Sequence, residues 1–133
     1  MITVVATGLA VAIALLTLAG VRRRYVLVAV TGSSMLPTLA AGDRVVVRRV
    51  RPHRVRPGNV VVARAPGTGG DAPVRRRVAG ETWLVKRVAA VGSPPGTVVL
   101  HGDNAARSRD SWHWGPLPAD RVLGVVVTVF HRR

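Results

Sequence analysis

The apolar residues of this chain begin as one unbroken block. Residues 2–21 carry no charged side chain and consist mainly of Val, Ala, Leu and Ile. Twenty helical residues reach about 30 Å, the thickness of the hydrocarbon core of a bilayer. No face of this helix is polar, so a place in a soluble core fits poorly. A cleaved leader also fits less well than an anchor, because no positive charge precedes the run and no small-x-small site closes it. Residues 1–21 are therefore predicted to be a transmembrane anchor.

Beyond residue 21 the pattern changes period. Apolar residues now fall in short, β-branched runs at 25–30, 44–50, 59–64, 83–91, 97–101 and 122–131. Between them lie Ala41-Gly42-Asp43, Arg56-Pro57-Gly58, Gly92-Ser93-Pro94-Pro95-Gly96 and Gly115-Pro116, which are turn sequences. Regular strand-and-turn spacing without amphipathic helices predicts a mainly β fold, a compact antiparallel domain over residues 22–133. Residues 65–80, with Gly-Thr-Gly-Gly-Asp and Arg75-Arg76-Arg77, read as a flexible excursion.

Composition narrows the partners. A chain of 133 residues leaves room for one small domain beside the anchor. The absence of cysteine removes disulfides and thiolate metal sites. A formal charge of +14 fits anionic lipid headgroups. It fits nucleic acid less well, because the arginines are scattered in small groups and aromatics for base stacking are few.

Two segments carry candidate chemistry. The first is Thr31-Gly32-Ser33-Ser34-Met35-Leu36-Pro37-Thr38-Leu39, a Gly-initiated bend directly after a predicted strand. A serine on a sharp turn at a strand end is one way to expose a nucleophile, although Gly-Ser-Ser is also ordinary loop sequence. The second is Lys86. Of twenty basic residues, nineteen are arginine and Lys86 is the one lysine. Strand alternation puts it on a face with Leu84, Val88 and Ala90. Arginine cannot release its proton inside a protein, whereas a desolvated lysine can. A free lysine leaves roughly one molecule in a few thousand neutral at pH 7, so service as a base requires a pKa lowered by about 3 units.

These segments, with Gly102-Asp103-Asn104, Ser108-Arg109-Asp110-Ser111 and Gly115, resemble the ordered motifs of type I signal peptidases. That family consists of membrane-bound serine peptidases with a Ser-Lys dyad. The resemblance runs from about Val28 to Val126. It implies Ser34 as nucleophile and Lys86 as general base, with Ser108 orienting the amine. Asp103, Asn104 and Asp110 would hold the surrounding loop, and Met35 and Pro37 belong to the substrate-binding motif. The Ser34 amide is one expected oxyanion donor. Where some relatives have a second, hydroxyl donor this chain has Gly32, so a backbone or neighbouring hydroxyl group is expected to serve. No cofactor or metal is implied. A Ser-His-Asp triad finds no support in the positions of His53, His101, His113 and His131.

Two further departures bear on the site. The family commonly has Asp-Ser-Arg where this chain has Asp110-Ser111-Trp112, so the usual Asp–Arg pair requires Arg107 or Arg109 instead. Gly92-Ser93 replaces the usual Gly-Asp. The implied activity is removal of signal peptides or propeptides after small residues. The implied partners are secreted preproteins or a propeptide client, together with membrane lipid; no nucleic acid is expected, and the chain is expected to be a monomer. The expected location is the cell membrane, single-pass, with the catalytic domain extracytoplasmic. Arg22-Arg23-Arg24 directly after the anchor favours the opposite orientation. That keeps open a maturation peptidase for one client at the cytoplasmic face. A non-enzymatic basic β domain tethered to the membrane is the other alternative.

Overall fold

A computed structural model describes residues 1–66 and 83–133. Most of the predicted excursion at 65–80 lies outside the described residues. Helix α1 spans Ile2–Arg24 and is followed without a break by strand β1, Tyr25–Ala29. The remaining elements are β2 (Arg44–Arg49), β3 (Val60–Arg64), β4 (Trp83–Val91), β5 (Thr97–His101), α2 (Ser111–Trp114), β6 (Leu117–Pro118) and β7 (Val122–Phe130). The six predicted strands are all present, with ends trimmed by at most one residue. The short β6 and α2 were not anticipated, since two and four residues carry no readable period.

Helix α1 has a mean hydropathy of 2.4 over its most apolar window, and none of that window is buried against the rest of the chain. It is long and apolar enough to cross a membrane. The predicted boundary at residue 21 moves outward, because Arg22, Arg23 and Arg24 form the last helical turn. Cations there complement the partial negative charge of the helix C-terminus, which explains why the helix does not stop at the first charge.

The seven strands form one sheet in the order β1-β2-β7-β3-β4-β5-β6, and every neighbouring pair is antiparallel. Strand β3 is buried on both faces: Val61, Val62 and Ala63 are all fully enclosed. The odd and even positions feed different cores. Val61 and Ala63 join Val88, Val98, Leu100 and Leu117 in one cluster, while Val62 joins Met35, Leu39, Val45, Val47 and Leu123 in the other. Each enclosed Val or Leu contributes about 1.5–3 kcal/mol of apolar burial. Val30 and Met35 carry the second core into the loop after β1.

Strand β4 departs from simple alternation. Its register against β5 slips between Val88 and Ala90, a bulge around Ala89. Lys86 and Val88 are buried as expected, but the expected continuation of that face to Ala90 is interrupted.

Candidate active site

The loop after β1 is pinned at its base and along one side. Val30 donates to the Asp43 carbonyl (2.8 Å) and accepts from the Gly42 amide (2.9 Å), closing the loop into a ring. Gly32 sits at φ +77°, a conformation open to glycine, and starts the bend. Met35 and Leu39 are buried in the second core and linked by an amide-to-carbonyl bond of 2.9 Å. Ser33 and Ser34 are left half-buried, with Leu36 and Pro37 exposed. Among the described residues the Ser34 amide has no hydrogen-bond partner. Of the two residues read as substrate-binding, Met35 thus anchors the loop from within and Pro37 remains on the surface.

A second loop, between β5 and α2, comes down onto the first. The Asn104 amide donates to the Ser34 carbonyl (2.9 Å), and Asn104 Nδ2 donates to the Ser33 carbonyl (3.0 Å). Asp103 accepts from Thr38 Oγ1 (2.5 Å) and takes a two-point contact from Arg87 Nε (2.8 Å) and Nη2 (2.7 Å). Arg87 holds the Asp103 carboxyl below the usual range, and Thr38 adds to the effect against the opposing influence of burial. The Gly-Asp-Asn turn is thereby a clamp joining β4 to the serine loop.

Lys86 is 3 % exposed, and its Nζ lies 2.9 Å from Ser108 Oγ, itself buried. Ser108 in turn donates to Asp110 Oδ2 at 2.7 Å. Burial pushes the Lys86 amine below its ordinary pKa, with Asp110 pulling in the opposite direction. Gly102 is where the two loops touch. A Cβ there would run into Ser108 Oγ and Cβ and into the Ser34 carbonyl oxygen. Ser34 and the lysine–serine pair are therefore neighbours across one glycine.

Asp110 is 3 % exposed and closes the cluster. Its Oδ2 accepts from the Gly102 amide (2.9 Å) as well as from Ser108, and its Oδ1 accepts from the Trp112 amide (3.1 Å). Burial opposes ionisation, yet these bonds and the electrostatic influence of His101 keep its pKa below the usual carboxylate range. His113 Nδ1 accepts from the Asp110 amide (3.2 Å), completing a capping box for α2. Neither Arg107 nor Arg109 takes the place of the expected arginine. Among the described residues, the partners of Asp110 are amides, a hydroxyl and imidazole, because both arginines point to an exposed surface.

Several contacts had no signal in the sequence, although most of the residues that make them stood in its motifs. Arg87 follows Lys86 directly, so strand geometry turns it to the other face, and nothing local says it meets Asp103. Ser111 Oγ accepts from the buried Leu100 amide (2.8 Å), tying α2 back to β5. The His101 and Trp112 rings stack at 5.1 Å between centroids and 12° between planes.

Comparison with known proteins gives a family for the chain. The chain matches the family described as signal peptidase, peptidase S26, over residues 1–93 and 91–131. It is 32 % identical over 108 residues to the Arabidopsis thaliana mitochondrial ATP-independent inner membrane protease subunit 1b, covering 72 % of this chain and 64 % of that one. It is 31 % identical over 128 residues to a probable signal peptidase I-1 of Synechocystis, covering 71 % and 65 %. The Arabidopsis thaliana thylakoidal processing peptidase 1 is 28 % identical over 131 residues, covering 71 % and 38 %. The chain thus spans under two thirds of the length of each of these relatives.

Proposed function

Because the chain belongs to the signal peptidase S26 family, we propose that it is a membrane-anchored serine endopeptidase removing signal peptides or propeptides after small residues. Ser34 is the nucleophile and Lys86 the base. Neutral Lys86 takes the hydroxyl proton as Ser34 Oγ bonds to the scissile carbonyl carbon. The resulting oxyanion is met by the Ser34 amide and the backbone that turns at Gly32. The ammonium then returns its proton to the departing amine as the C–N bond breaks. Water, deprotonated by the same lysine, releases the acyl group. Ser108 fixes the amine by its hydroxyl, and Asp110 fixes Ser108.

One observation carries this reading. The only lysine of the chain is buried, hydrogen-bonded to a buried serine, and separated from the Ser34 backbone by a glycine with no room for a side chain. Strand β1 is an edge strand that leads into the serine loop, so an extended client segment can add alongside it. The test is cleavage of a peptide with small residues before the scissile bond, by the purified full chain in detergent. Ser34→Ala and Lys86→Arg should both be inactive; full activity in Lys86→Arg would remove the dyad.

The same proposal places the chain in the membrane through α1. Tyr25 and Leu27, at the start of β1, are exposed at 39 % and 51 %, next to a helix end bearing three arginines. Anionic lipid is the surface that suits both features. The catalytic domain is proposed to face away from the cytoplasm, and a compartment-sensitive reporter fused after Arg133 decides between the two faces.

A further inference from the structure

Trp112 is 81 % exposed, yet its ring lies flat on His101. Its position is the one at which the family resemblance leads to an arginine for Asp110. The backbone around the stack explains why a neutral indole can stand there. His101 directly precedes Gly102, whose amide holds Asp110 Oδ2, and the amide of Trp112 itself holds Asp110 Oδ1. The two rings therefore close over the two chain segments that grip the carboxylate from either side.

We infer that the His101–Trp112 stack is a positioning device for the proposed dyad, fixing Asp110 so that Ser108 aims the Lys86 amine. The inference rests on the peptidase reading and deepens it. An arginine would hold the carboxylate by charge. The stack instead holds the backbone donors around it, and leaves the carboxylate's lone pairs to Ser108 and the two amides. The charged or titratable groups around Asp110 are His101 from β5, His113 from α2 and Lys86 from β4. Loosening the stack lets the Gly102 and Trp112 amides drift from the carboxylate and opens the buried Ser108–Lys86 pair to water.

Lys86 being the sole lysine makes this testable by two independent readouts. Lysine labelled with ¹³C at Cε gives a single side-chain signal whose titration midpoint is read by NMR in full-chain protein in micelles. In Trp112→Ala, kcat should fall roughly tenfold, the effect of one misaligned buried hydrogen bond, with KM within about twofold. The lysine midpoint should move up toward that of free lysine, and Trp112→Phe, which keeps a ring on His101, should recover both. Because Trp112 is exposed, its truncation leaves the core intact. Unchanged kcat and midpoint in Trp112→Ala would overturn the inference, as would a Trp112→Phe no better than the alanine variant. No cleavage by the wild-type chain would instead bring down the peptidase reading, while the NMR midpoint would still report on the stack.

Discussion

Two buried aspartates at different places in the sheet are built alike and put to different use. Asp43 is 3 % exposed and accepts from the Ala40 amide (3.0 Å), the Arg132 amide (3.0 Å) and His131 (Nδ1 at 2.9 Å). Asp110 is equally buried and is likewise held by two amides, with imidazole nearby. The Ala40 and Arg132 amides, with His131, hold Asp43 below the usual carboxylate range despite its burial. Among the described residues, the bonds to the Asp43 carboxylate come from the Ala40 amide and from residues 131 and 132, so it fastens that segment to the turn before β2. At Asp110 one oxygen also takes a hydroxyl, and that hydroxyl meets an amine. A single added Ser–Lys pair joins the same kind of clamp to the amine proposed as the base.

The largest break in that comparison comes at the contact between the two loops. Gly102→Ala should abolish cleavage and lower stability by about 2–3 kcal/mol, because the new methyl meets a hydroxyl and a backbone oxygen. Peptide turnover and urea unfolding measure the two effects. Asp110→Asn should cost roughly a hundredfold in kcat, since an amide NH₂ faces donors that need an acceptor. Asp43→Asn should lower the melting temperature with kcat within about twofold, because it lies outside the proposed dyad. Equal losses of activity in the two variants would erase the distinction.

Lys86→Met sharpens the comparison from the other side. It removes a buried amine at which burial opposes the charged form, so it should raise stability by about 1–2 kcal/mol while ending catalysis. The pH dependence has a definite sign. A lysine whose folded pKa lies below its unfolded value of about 10.4 binds fewer protons when folded, so wild-type stability rises with pH across that interval. Lys86→Met should lack this rise in a series of melts between pH 7 and 10. The smallest effect is at acid pH. The stabilisation from Asp43 and Asp110 is complete above an unfolded carboxylate pKa of about 4 and lost as the pH falls through their depressed folded values. Below pH 7 both proteins should therefore keep the carboxylate contribution to their melting temperature down to about pH 4 and lose it below.

The strands were legible because their signals are local. β-Branched runs bounded by Gly and Pro turns located six of seven to within a residue at either end, and the odd lysine among arginines marked the buried amine. Other features had no local signal. Arg87 and Asp103 are sixteen positions apart and meet only because β4 and the loop after β5 cross. The bulge at Ala89 depends on pairing with β5, so alternation alone carried the face of Lys86 too far along the strand. The His101–Trp112 stack and the Asp43–His131 contact join residues 11 and 88 positions apart in the chain, distances at which pattern reading has no grip. Trp112 stood out in the sequence as a departure, but its stacking partner, eleven positions away, did not.

Helix α1 hands over to β1 with no residue in between. The sheet therefore begins directly beside the last turn of the proposed anchor. Five strand residues reach about 17 Å, so the loop that bears the proposed nucleophile Ser34 begins about that far from the last helical turn. If the proposed peptidase takes a client threaded through the same bilayer, that spacing would make the distance from the client's apolar segment to its cut site a term in recognition.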